Sequence, residues 1–420
     1  MEQKFIKRHI LSELKAHLQQ KEITLIVGAR QVGKTTLMKI LQDELNKQGK
    51  NTIFLSLDFE NDKKYFISQN SLIEKLRLEF GVNRGYVFLD EIQRKENAGL
   101  FLKGIYDLDL PYKFIVSGSG SMELKEKIHE SLAGRKMIFE VNPVNFMEFV
   151  DFMTDYKYEK RLNSYFKVEK DKTFNFLNQY LNFGGYPRVI LEKSFKQKQS
   201  LINEIYQSYL EKDIAYWLQV ERLDAFSSLL KVLAGQAGQL VNYSEISNTL
   251  GISLPTVKNY LYFLEKTFII SKLAPFFRNV RKEISKAQIV YFCDLGLRNH
   301  ALGILSQANQ SDDLGFLFQN FIYNLLADKF KSSAGKINFW RTKEKAEVDF
   351  IINFNLQLIP VEVKYKNFKQ PAIERSLKSF IDKYQPARAL VVTKDFHGKK
   401  KFGQTEVRFL PFWELISFKF

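Results

Sequence analysis

Residues 23–36 read Ile-Thr-Leu-Ile-Val-Gly-Ala-Arg-Gln-Val-Gly-Lys-Thr-Thr, and this stretch decides the expected fold. Its first five residues form the short, β-branched apolar run that is typical of a buried parallel strand. The rest fits the pattern G-x-x-x-x-G-K-[ST], and a helix is predicted from about Lys34 to Gln48, where Gly49 ends it. A strand, a glycine loop and a helix in this order hold phosphate groups, so the sequence predicts nucleotide binding.

The residue types of this loop suit a nucleoside triphosphate. Gly28 and Gly33 let the backbone wrap so that its N–H groups face phosphate oxygens. Lys34 is expected to reach the β- and γ-phosphates, and the Thr35 hydroxyl is expected to join the shell of a Mg²⁺ ion. The predicted nucleotide-binding residues are Gly28, Ala29, Arg30, Gln31, Val32, Gly33, Lys34, Thr35 and Thr36.

A second apolar strand, residues 86–89, carries two carboxylates to its carboxyl end. Ligands of open α/β sheets bind at that end of the strands, so Asp90 is expected to hold Mg²⁺ directly or through water. Glu91 is expected to polarise the attacking water as a general base. An acidic pair at a strand end is often only a solvated turn, but a neighbouring phosphate loop favours the catalytic interpretation. Together the two motifs predict an ATPase that uses ATP and Mg²⁺.

The rest of the N-terminal third predicts an α/β fold with a parallel sheet. Apolar strands at 53–57 and 114–116 alternate with helical stretches. After Pro143 the pattern becomes helical up to about residue 218, interrupted at 183–187. The expected parts are a P-loop ATPase core at 1–150, a helical lid at 151–220, a winged helix-turn-helix at 221–285 and a C-terminal α/β domain at 286–420.

Several motifs resemble one known family. Gly-Ala-Arg-Gln-Val-Gly-Lys-Thr-Thr (28–36), Leu-Asp-Glu-Ile-Gln (89–93), Val-Ser-Gly-Ser (116–119) and Ser-Leu-Ala-Gly-Arg (131–135) occur in that order. They closely resemble the AAA-type P-loop ATPases of bacteria and archaea that carry a C-terminal domain of unknown function. Later stretches at 184–187, 209–214 and 291–296 are also similar to that family.

The resemblance implies roles for two more residues. Ser117 would occupy a polar sensor position at the end of the fourth strand. Arg135 would be an arginine finger or a sensor of the γ-phosphate, and a finger acting in trans would require an oligomer. A structural salt bridge at a turn is the alternative for Arg135.

Residues 241–268 predict a helix-turn-helix, with Ser244 and Ser253 as helix caps and Gly251 at the turn. Residues 269–273 would add a wing strand. Such a module can contact nucleic acid through the exposed face of its second helix, or it can dock a protein partner. The residues expected on that exposed face are Thr256, Lys258 and Asn259.

Two alternating strands, 347–352 and 360–364, predict a second site. If they form a hairpin with Asn353 opposite Leu358, then Asp349 lies opposite Glu362. Lys364 shares that face, because strand side chains alternate with a period of two. Two carboxylates and a lysine can hold Mg²⁺ and position water against a phosphodiester, whereas the alternative is an ion-pair cluster on a sheet.

This second site resembles the D…E-x-K core of restriction-endonuclease-like folds. From residue 316 onward the predicted order is one helix, three strands, a helix and two strands, which agrees with that fold. Such enzymes often carry a glutamate on the preceding helix, and Gln319 stands in the matching place. A neutral amide binds a hard cation more weakly than a carboxylate does, so weak or absent cleavage is expected.

Composition excludes several classes of protein. The 420 residues are 45% hydrophobic and 26% charged, which excludes a disordered, collagen-like or disulfide-framework chain. The single cysteine, Cys293, cannot form an internal disulfide, and the five histidines are scattered. We find neither a signal-peptide pattern at the start nor an apolar run long enough to cross a bilayer, so a cytoplasmic protein without a membrane partner is expected.

The net charge of +16 is uneven, because residues 221–420 hold 29 basic and 18 acidic residues and carry +11 of it. A basic field of this kind favours DNA or RNA as partner, and Lys399-Lys400-Lys401 could contact phosphates or form a solvated loop. A generally Lys- and Phe-rich composition would also explain the charge. The alternative function is a signalling or scaffold ATPase whose C-terminal domains bind a protein partner.

Overall fold

The computed structural model describes residues 5–119, 132–210, 222–277, 287–307, 313–331 and 333–420. Ser131 and residues 211–214, which belong to two of the family-like motifs, lie outside these ranges. Among the described residues, no helix combines the length and apolar character needed to cross a membrane.

The N-terminal part is a five-stranded, fully parallel sheet with helices on its faces, as predicted. The strand order is β2-β3-β4-β1-β5, so β1 lies between β4 and β5. Every residue of β1 and β3 is buried, which is the burial expected of apolar strands covered on both faces. The strands are β1 (Ile23–Gly28), β2 (Asn51–Ser56), β3 (Gly85–Asp90), β4 (Tyr112–Ser119) and β5 (Lys136–Val141). The helices are α1 (Ile10–His17), α2 (Lys34–Lys47), α3 (Glu60–Lys63), α4 (Gln69–Phe80) and α5 (Ala98–Asp107).

A helical segment follows the sheet, in agreement with the sequence pattern after Pro143. Its first helix begins with a capping box, in which Asn145 accepts from the backbone of Glu148 while the Glu148 side chain accepts from the backbone of Asn145. The helices are α6 (Phe146–Met153), α7 (Leu162–Val168), α8 (Lys170–Phe183), α9 (Pro187–Leu191) and α10 (Phe195–Ser208).

The next part contains the predicted pair of helices and the short strand after them. Ser253 caps the second helix by accepting from Thr256 N at 3.2 Å, as expected. The predicted cap Ser244 is wrong by two positions, because Asn242 accepts the bond from Glu245 N at 3.3 Å. The elements are α11 (Leu223–Gly235), α12 (Tyr243–Leu250), α13 (Leu254–Lys266), β6 (Ile270–Leu273), β7 (Ile289–Phe292) and α14 (Leu295–Leu302).

The C-terminal part is a six-stranded mixed sheet in the order β12-β13-β11-β10-β9-β8. One helix and three strands begin it as predicted, but three strands and a helix follow α16 where two strands were expected. The additional strand contains Lys399-Lys400-Lys401, so these lysines lie on an edge strand and not in a loop. The elements are α15 (Leu314–Phe330), β8 (Lys336–Arg341), β9 (Glu347–Phe354), β10 (Gln357–Lys364), α16 (Arg375–Tyr384), β11 (Arg388–Thr393), β12 (Gly398–Phe402), β13 (Thr405–Pro411) and α17 (Phe412–Ser417).

The parts share their cores. Phe146 of α6 lies edge-to-face with Phe321 of α15 at 5.4 Å between ring centroids, so the helical segment packs on the C-terminal part. The predicted boundary between residues 285 and 286 separates β6 from its antiparallel partner β7. This two-stranded sheet joins residues 289–292 to residues 270–273 across that boundary.

Candidate functional site

The predicted phosphate loop connects β1 to α2 at the carboxyl edge of the parallel sheet. β1 ends at Gly28, where an added Cβ would lie 2.1 Å from the carbonyl oxygen of Val141 on β5, so only glycine permits this approach. Gln31 and Gly33 both have left-handed backbone angles, with φ of 60° and 98°. The loop therefore curls tightly before α2 begins at Lys34.

The Lys34 side chain folds back over this loop. It is only 6% exposed, and its Nζ donates to Gly28 O at 3.0 Å and to Ala29 O at 2.7 Å. A buried ammonium needs such partners, because burial without them would cost several kcal/mol. The loop carbonyls thus hold the cation at the phosphate loop.

Asp90, at the end of β3, is the centre of a hydrogen-bond cluster. Thr35 Oγ1 donates to Asp90 Oδ2 at 2.9 Å, and the Ser117 hydroxyl donates to Asp90 Oδ1. Asp90 is 4% exposed and Ser117 is fully buried. The parallel order of β1, β4 and β3 explains this convergence, because all three strands end at the same edge of the sheet.

Glu91 follows Asp90 directly and turns the chain with a left-handed φ of 57°. Its backbone N–H donates to Ser117 Oγ at 3.4 Å, and the Gln93 amide donates to its carboxylate. Burial raises the pKa of the Glu91 carboxyl, while nearby Lys34 acts in the opposite direction. A half-buried carboxylate with a raised pKa beside a lysine is a suitable proton acceptor near neutral pH.

The loop opens into a pocket of about 520 Å³ whose far wall is the helical segment. Pro187 and Arg188, at the start of α9, lie on this wall. Arg188 Nη1 donates to Gln31 Oε1 at 3.1 Å and to Glu204 Oε1 at 2.7 Å, which joins α9 and α10 to the loop. The predicted residues that line the pocket are Arg30, Gln31, Val32, Gly33, Lys34, Thr35, Thr36 and Glu91.

Arg8 is a second pocket residue that the sequence pattern did not identify. Its side chain is 8% exposed, its Nη1 donates to Val32 O at 3.1 Å, and its Nε donates to Glu148 Oε2 at 2.9 Å. No sequence motif marks Arg8. Arg188, in contrast, directly follows the Gly-Gly-Tyr-Pro stretch that the family resemblance had singled out.

Arg135 lies far from this pocket. It precedes β5, and its carbonyl accepts from Ile23 N, the first residue of β1, at 2.9 Å. Arg135 is therefore at the amino edge of the sheet, whereas the phosphate loop is at the carboxyl edge. Its Nε pairs with Asp107 Oδ1 at 2.7 Å at the end of α5. Arg135 therefore forms the structural salt bridge that was the alternative for it. A role for Arg135 at the pocket of its own chain is wrong, because the length of the parallel strands lies between Arg135 and the phosphate loop.

The second predicted site has the expected register. β9 and β10 form the hairpin with Asn353 opposite Leu358, and Asp349 Oδ2 accepts from Val363 N on β10 at 2.6 Å. Lys364 Nζ contacts Glu362 Oε1 at 2.8 Å. This contact and the paired strands bring Asp349, Glu362 and Lys364 together.

Gln319 of α15 completes this group, because its amide donates to Asp349 Oδ1 at 2.7 Å. Both Asp349 oxygens thus have partners, whereas Glu362 Oε2 is buried without one among the described residues. Burial raises the pKa of the Asp349 carboxyl well above its ordinary range, and Glu362 adds to this shift. The described ranges contain no group of three or more His, Cys, Asp or Glu side chains that could hold a metal ion.

Three family models match separate parts of the chain. A model described as an AAA domain matches residues 20–150, the region that holds the phosphate loop, Asp90 and Glu91. This match supports a P-loop ATPase of the AAA type. It supports ATP binding and hydrolysis by the parallel-sheet part. Models of two domains of unknown function match residues 175–308 and 314–415.

Several relatives match the chain over most of its length. An uncharacterized protein of Methanocaldococcus jannaschii is 26% identical over 409 residues, covering 94% of this chain and 88% of the relative. An uncharacterized protein of Haemophilus influenzae is 25% identical over 409 residues, covering 94% of each chain. One of Mycobacterium tuberculosis is 24% identical over 399 residues, covering 94% of this chain and 81% of the relative.

Among solved structures, AMPPCP-bound DnaA from Aquifex aeolicus is 15% identical with a TM-score of 0.26, covering 64% of this chain and 90% of DnaA. Cdc6p from Pyrobaculum aerophilum is 9% identical with a TM-score of 0.29, covering 73% of this chain and 96% of Cdc6p. At these TM-scores the likeness carries no inference about fold or function.

Proposed function

We propose that the protein is a Mg²⁺-dependent ATPase. The observation that carries this proposal is the convergence of the Thr35 and Ser117 hydroxyls on Asp90, beside the phosphate loop and next to Glu91. Lys34 and the backbone N–H groups of the loop would bind the triphosphate, helped by the positive end of α2. Arg188 would add a positive charge from the opposite wall of the pocket.

The donor set beside the loop fits a magnesium ion. Mg²⁺ prefers hard oxygen ligands, and it usually takes one or two carboxylates together with phosphate oxygens. Thr35 Oγ1 and Asp90 Oδ2 are 2.9 Å apart, so one ion could bind to both residues. When bound, Mg²⁺ would offset the negative charge of the phosphate groups.

Glu91 would act as the general base. Its carboxylate can accept a proton from the water that attacks the γ-phosphate, and it lines the pocket beside Lys34. Ser117 would act as a polar sensor, because it connects Asp90 and the backbone of Glu91 through one hydroxyl. A shift of Asp90 or of Glu91 would thus change the hydrogen bond that the Ser117 hydroxyl makes with the other residue.

Two variants test this function. Lys34→Ala should abolish nucleotide binding, because the phosphates lose their buried cation. Glu91→Gln should keep binding but lose about 10²- to 10⁴-fold in turnover, which is the usual contribution of a general base. Equilibrium binding of labelled ATP and phosphate release in Mg²⁺ measure the two effects separately. Unchanged turnover of Glu91→Gln would refute the role of Glu91.

We further propose that the C-terminal half binds nucleic acid, and a specific surface supports this. A groove of about 860 Å³ runs between α7 and the sheet of the C-terminal part. Strand pairing puts Lys399 opposite Arg408, so both side chains share one face of that sheet. The charged Lys, Arg, Asp and Glu residues that line the groove are Lys167, Arg388, Lys399, Arg408 and Lys419 against Glu406 and Glu414.

A positive groove of this kind suits a phosphate backbone, whose neutralisation by Lys and Arg gives affinity that falls with salt. ATPase rates with and without DNA or RNA distinguish the alternatives. Stimulation that weakens as salt rises supports nucleic acid as partner. A flat response would favour a signalling or scaffold ATPase whose C-terminal domains bind a protein.

The finer architecture is also a proposal. We propose that residues 146–208 act as a lid over the nucleotide and that residues 223–292 contain a winged helix, with Lys258 and Asn259 exposed on its second helix. We propose that residues 314–415 have a restriction-endonuclease-like fold that cleaves weakly or not at all. The bond from Gln319 to Asp349 supports this, because an amide occupies the place of a metal-binding carboxylate.

A further inference from the structure

Two family-like motifs are in contact with each other, although more than 100 residues separate them. The turn Gly184-Gly185-Tyr186-Pro187 joins α8 to α9, and the stretch 291–296 joins β7 to α14. Asp294 is the residue at their contact. Neither the phosphate loop nor the carboxylate pair accounts for these motifs, so their contact needs another explanation.

Asp294 is 3% exposed, and each of its carboxylate oxygens has a backbone donor. Oδ2 accepts from Gly185 N at 2.7 Å, and Oδ1 accepts from Leu297 N at 3.0 Å as the cap of α14. Burial raises the pKa of Asp294 to about 6, so the carboxylate is mostly charged at neutral pH. One buried anion thus binds the turn and the helix together.

The turn packs so closely against Asp294 that no side chain fits at position 184. Gly184 has a φ of 70°, and a Cβ there would lie 2.3 Å from both Asp294 oxygens. Any other residue at this position would be strained and would push the carboxylate away. The turn is therefore built to receive the Asp294 side chain.

The same turn forms the wall of the nucleotide pocket. Tyr186 is buried, and its hydroxyl lies 3.0 Å from that of Tyr209. The next two residues, Pro187 and Arg188, line the pocket opposite the phosphate loop. Pro187 Cγ is 4.0 Å from the position that a Cβ on Gly33 would occupy. Only residues 186 and 187 thus lie between Gly185, which donates to Asp294, and Arg188.

On its other side, Asp294 is connected to the C-terminal part. Asn320 of α15 bonds both backbone groups of Phe292 on β7, accepting from its N–H and donating to its carbonyl at 2.9 Å each. Gln319, which binds Asp349, is the neighbouring residue on α15. A displacement of α15 would therefore be transmitted to β7 and, two residues later, to Asp294.

We propose that Asp294 is a positioning residue for the nucleotide pocket, which holds the 184–187 turn so that Arg188 faces the phosphate loop. By this contact the C-terminal half contributes to ATP affinity. The inference rests on nucleotide binding at the phosphate loop, as proposed above.

Asp294→Asn tests it in the full chain. The amide keeps the size of the side chain but has one accepting oxygen, so its NH₂ group must face a backbone N–H. We expect ATP to bind about tenfold more weakly, the loss typical of one hydrogen bond to a charged group. Asp107→Asn is the matched control, because Asp107 of α5 accepts from Arg135 Nε at 2.7 Å at the amino edge of the parallel sheet, away from the turn and the pocket. It should leave ATP affinity unchanged.

A double-mutant cycle separates positioning from general destabilisation. If Asp294 acts through Arg188, then Asp294→Asn should cause no further loss of ATP affinity in the Arg188→Ala background. Gly184→Ala, which presses on the same contact from the turn, should behave in the same way. Circular dichroism verifies that each variant is folded.

The outcomes are distinct. Additive losses in the cycle, or an Asp294→Asn variant with unchanged ATP affinity, would overturn this inference alone. Absence of ATP binding by the unaltered chain would overturn the proposed ATPase function and this inference with it.

Discussion

Arg188 donates to Gln31 at 3.1 Å, so a residue of the helical segment is in direct contact with the phosphate loop 157 positions earlier in the chain. The same guanidinium pairs with Glu204 at 2.7 Å. These two bonds hold a positive charge at the wall of the pocket, where a triphosphate would lie.

Arg188→Ala should weaken ATP binding about tenfold, because a charge-assisted hydrogen bond to phosphate contributes about 1.5–3 kcal/mol. The dissociation constants of ATP and ADP measure the effect, and the loss should be larger for ATP if Arg188 faces the γ-phosphate. Arg161→Ala, an exposed arginine of the same helical segment that does not line the pocket, is the control. Equal affinities of Arg188→Ala and the unaltered chain would contradict this role.

The pH dependence of turnover should depend on Glu91. A general base works only when it is ionised, and burial raises the pKa of Glu91. Turnover at saturating ATP should therefore fall with decreasing pH earlier than an ordinary glutamate would require. Glu91→Gln should lack this acidic limb in its residual rate. ATP affinity measured over the same pH range separates the base from the protonation of ATP itself, and a rate that stays flat into the ordinary glutamate range would contradict the prediction.

The basic groove makes a prediction about salt. Lys399→Ala combined with Arg408→Ala should weaken binding of DNA or RNA and reduce the slope of log affinity against log salt by about two, one for each cation that no longer neutralises a phosphate. The control is Arg375→Ala with Lys378→Ala, two exposed cations on α16, which packs on the opposite face of the same sheet. Fluorescence anisotropy at several salt concentrations gives both slopes. Equal losses in the two double variants would mean that binding is not specific to the groove.

Gln319→Glu should create a better metal site. It replaces the amide that donates to Asp349 with a third carboxylate beside Glu362, so the variant should gain Mn²⁺ or Mg²⁺ affinity and weak cleavage of nucleic acid. Without metal it should be less stable, because a further carboxyl group is buried beside Asp349 and Glu362, whose pKa values burial already raises. Metal titration and cleavage assays measure the gain, with Glu362→Ala as the inactive control. Enzyme-like cleavage by the unaltered chain that disappears in Glu362→Ala would show that the site is not defective.

Local pattern was enough to predict the elements of the candidate ATP site. The apolar runs before Gly28 and Asp90 are buried strands, because continuous β-branched and apolar sequence is stable only when both faces of a strand are covered. Because parallel strands end at the same edge of the sheet, the phosphate loop after β1 and the carboxylates at the end of β3 lie close together. The β9–β10 register was also predictable, because a hairpin with alternating faces allows few alternatives.

Contacts between distant parts of the chain could not be predicted in this way. Arg135 has the motif of a catalytic arginine, yet the strand that follows it places it at the other edge of the sheet, paired with Asp107. β12 is rich in lysine and resembles a loop by composition, but pairing with β13 makes it a strand.

The sequence by itself determined that the protein contains a parallel sheet with a phosphate loop and two carboxylates at one edge. Only the tertiary structure decided which other residues reach that edge. Arg8 and Arg188 reach it through hydrogen bonds to the phosphate loop, and Asp294 is bonded to the turn that precedes Arg188. Side-chain periodicity records which face of an element is buried, but it does not record which partner covers that face.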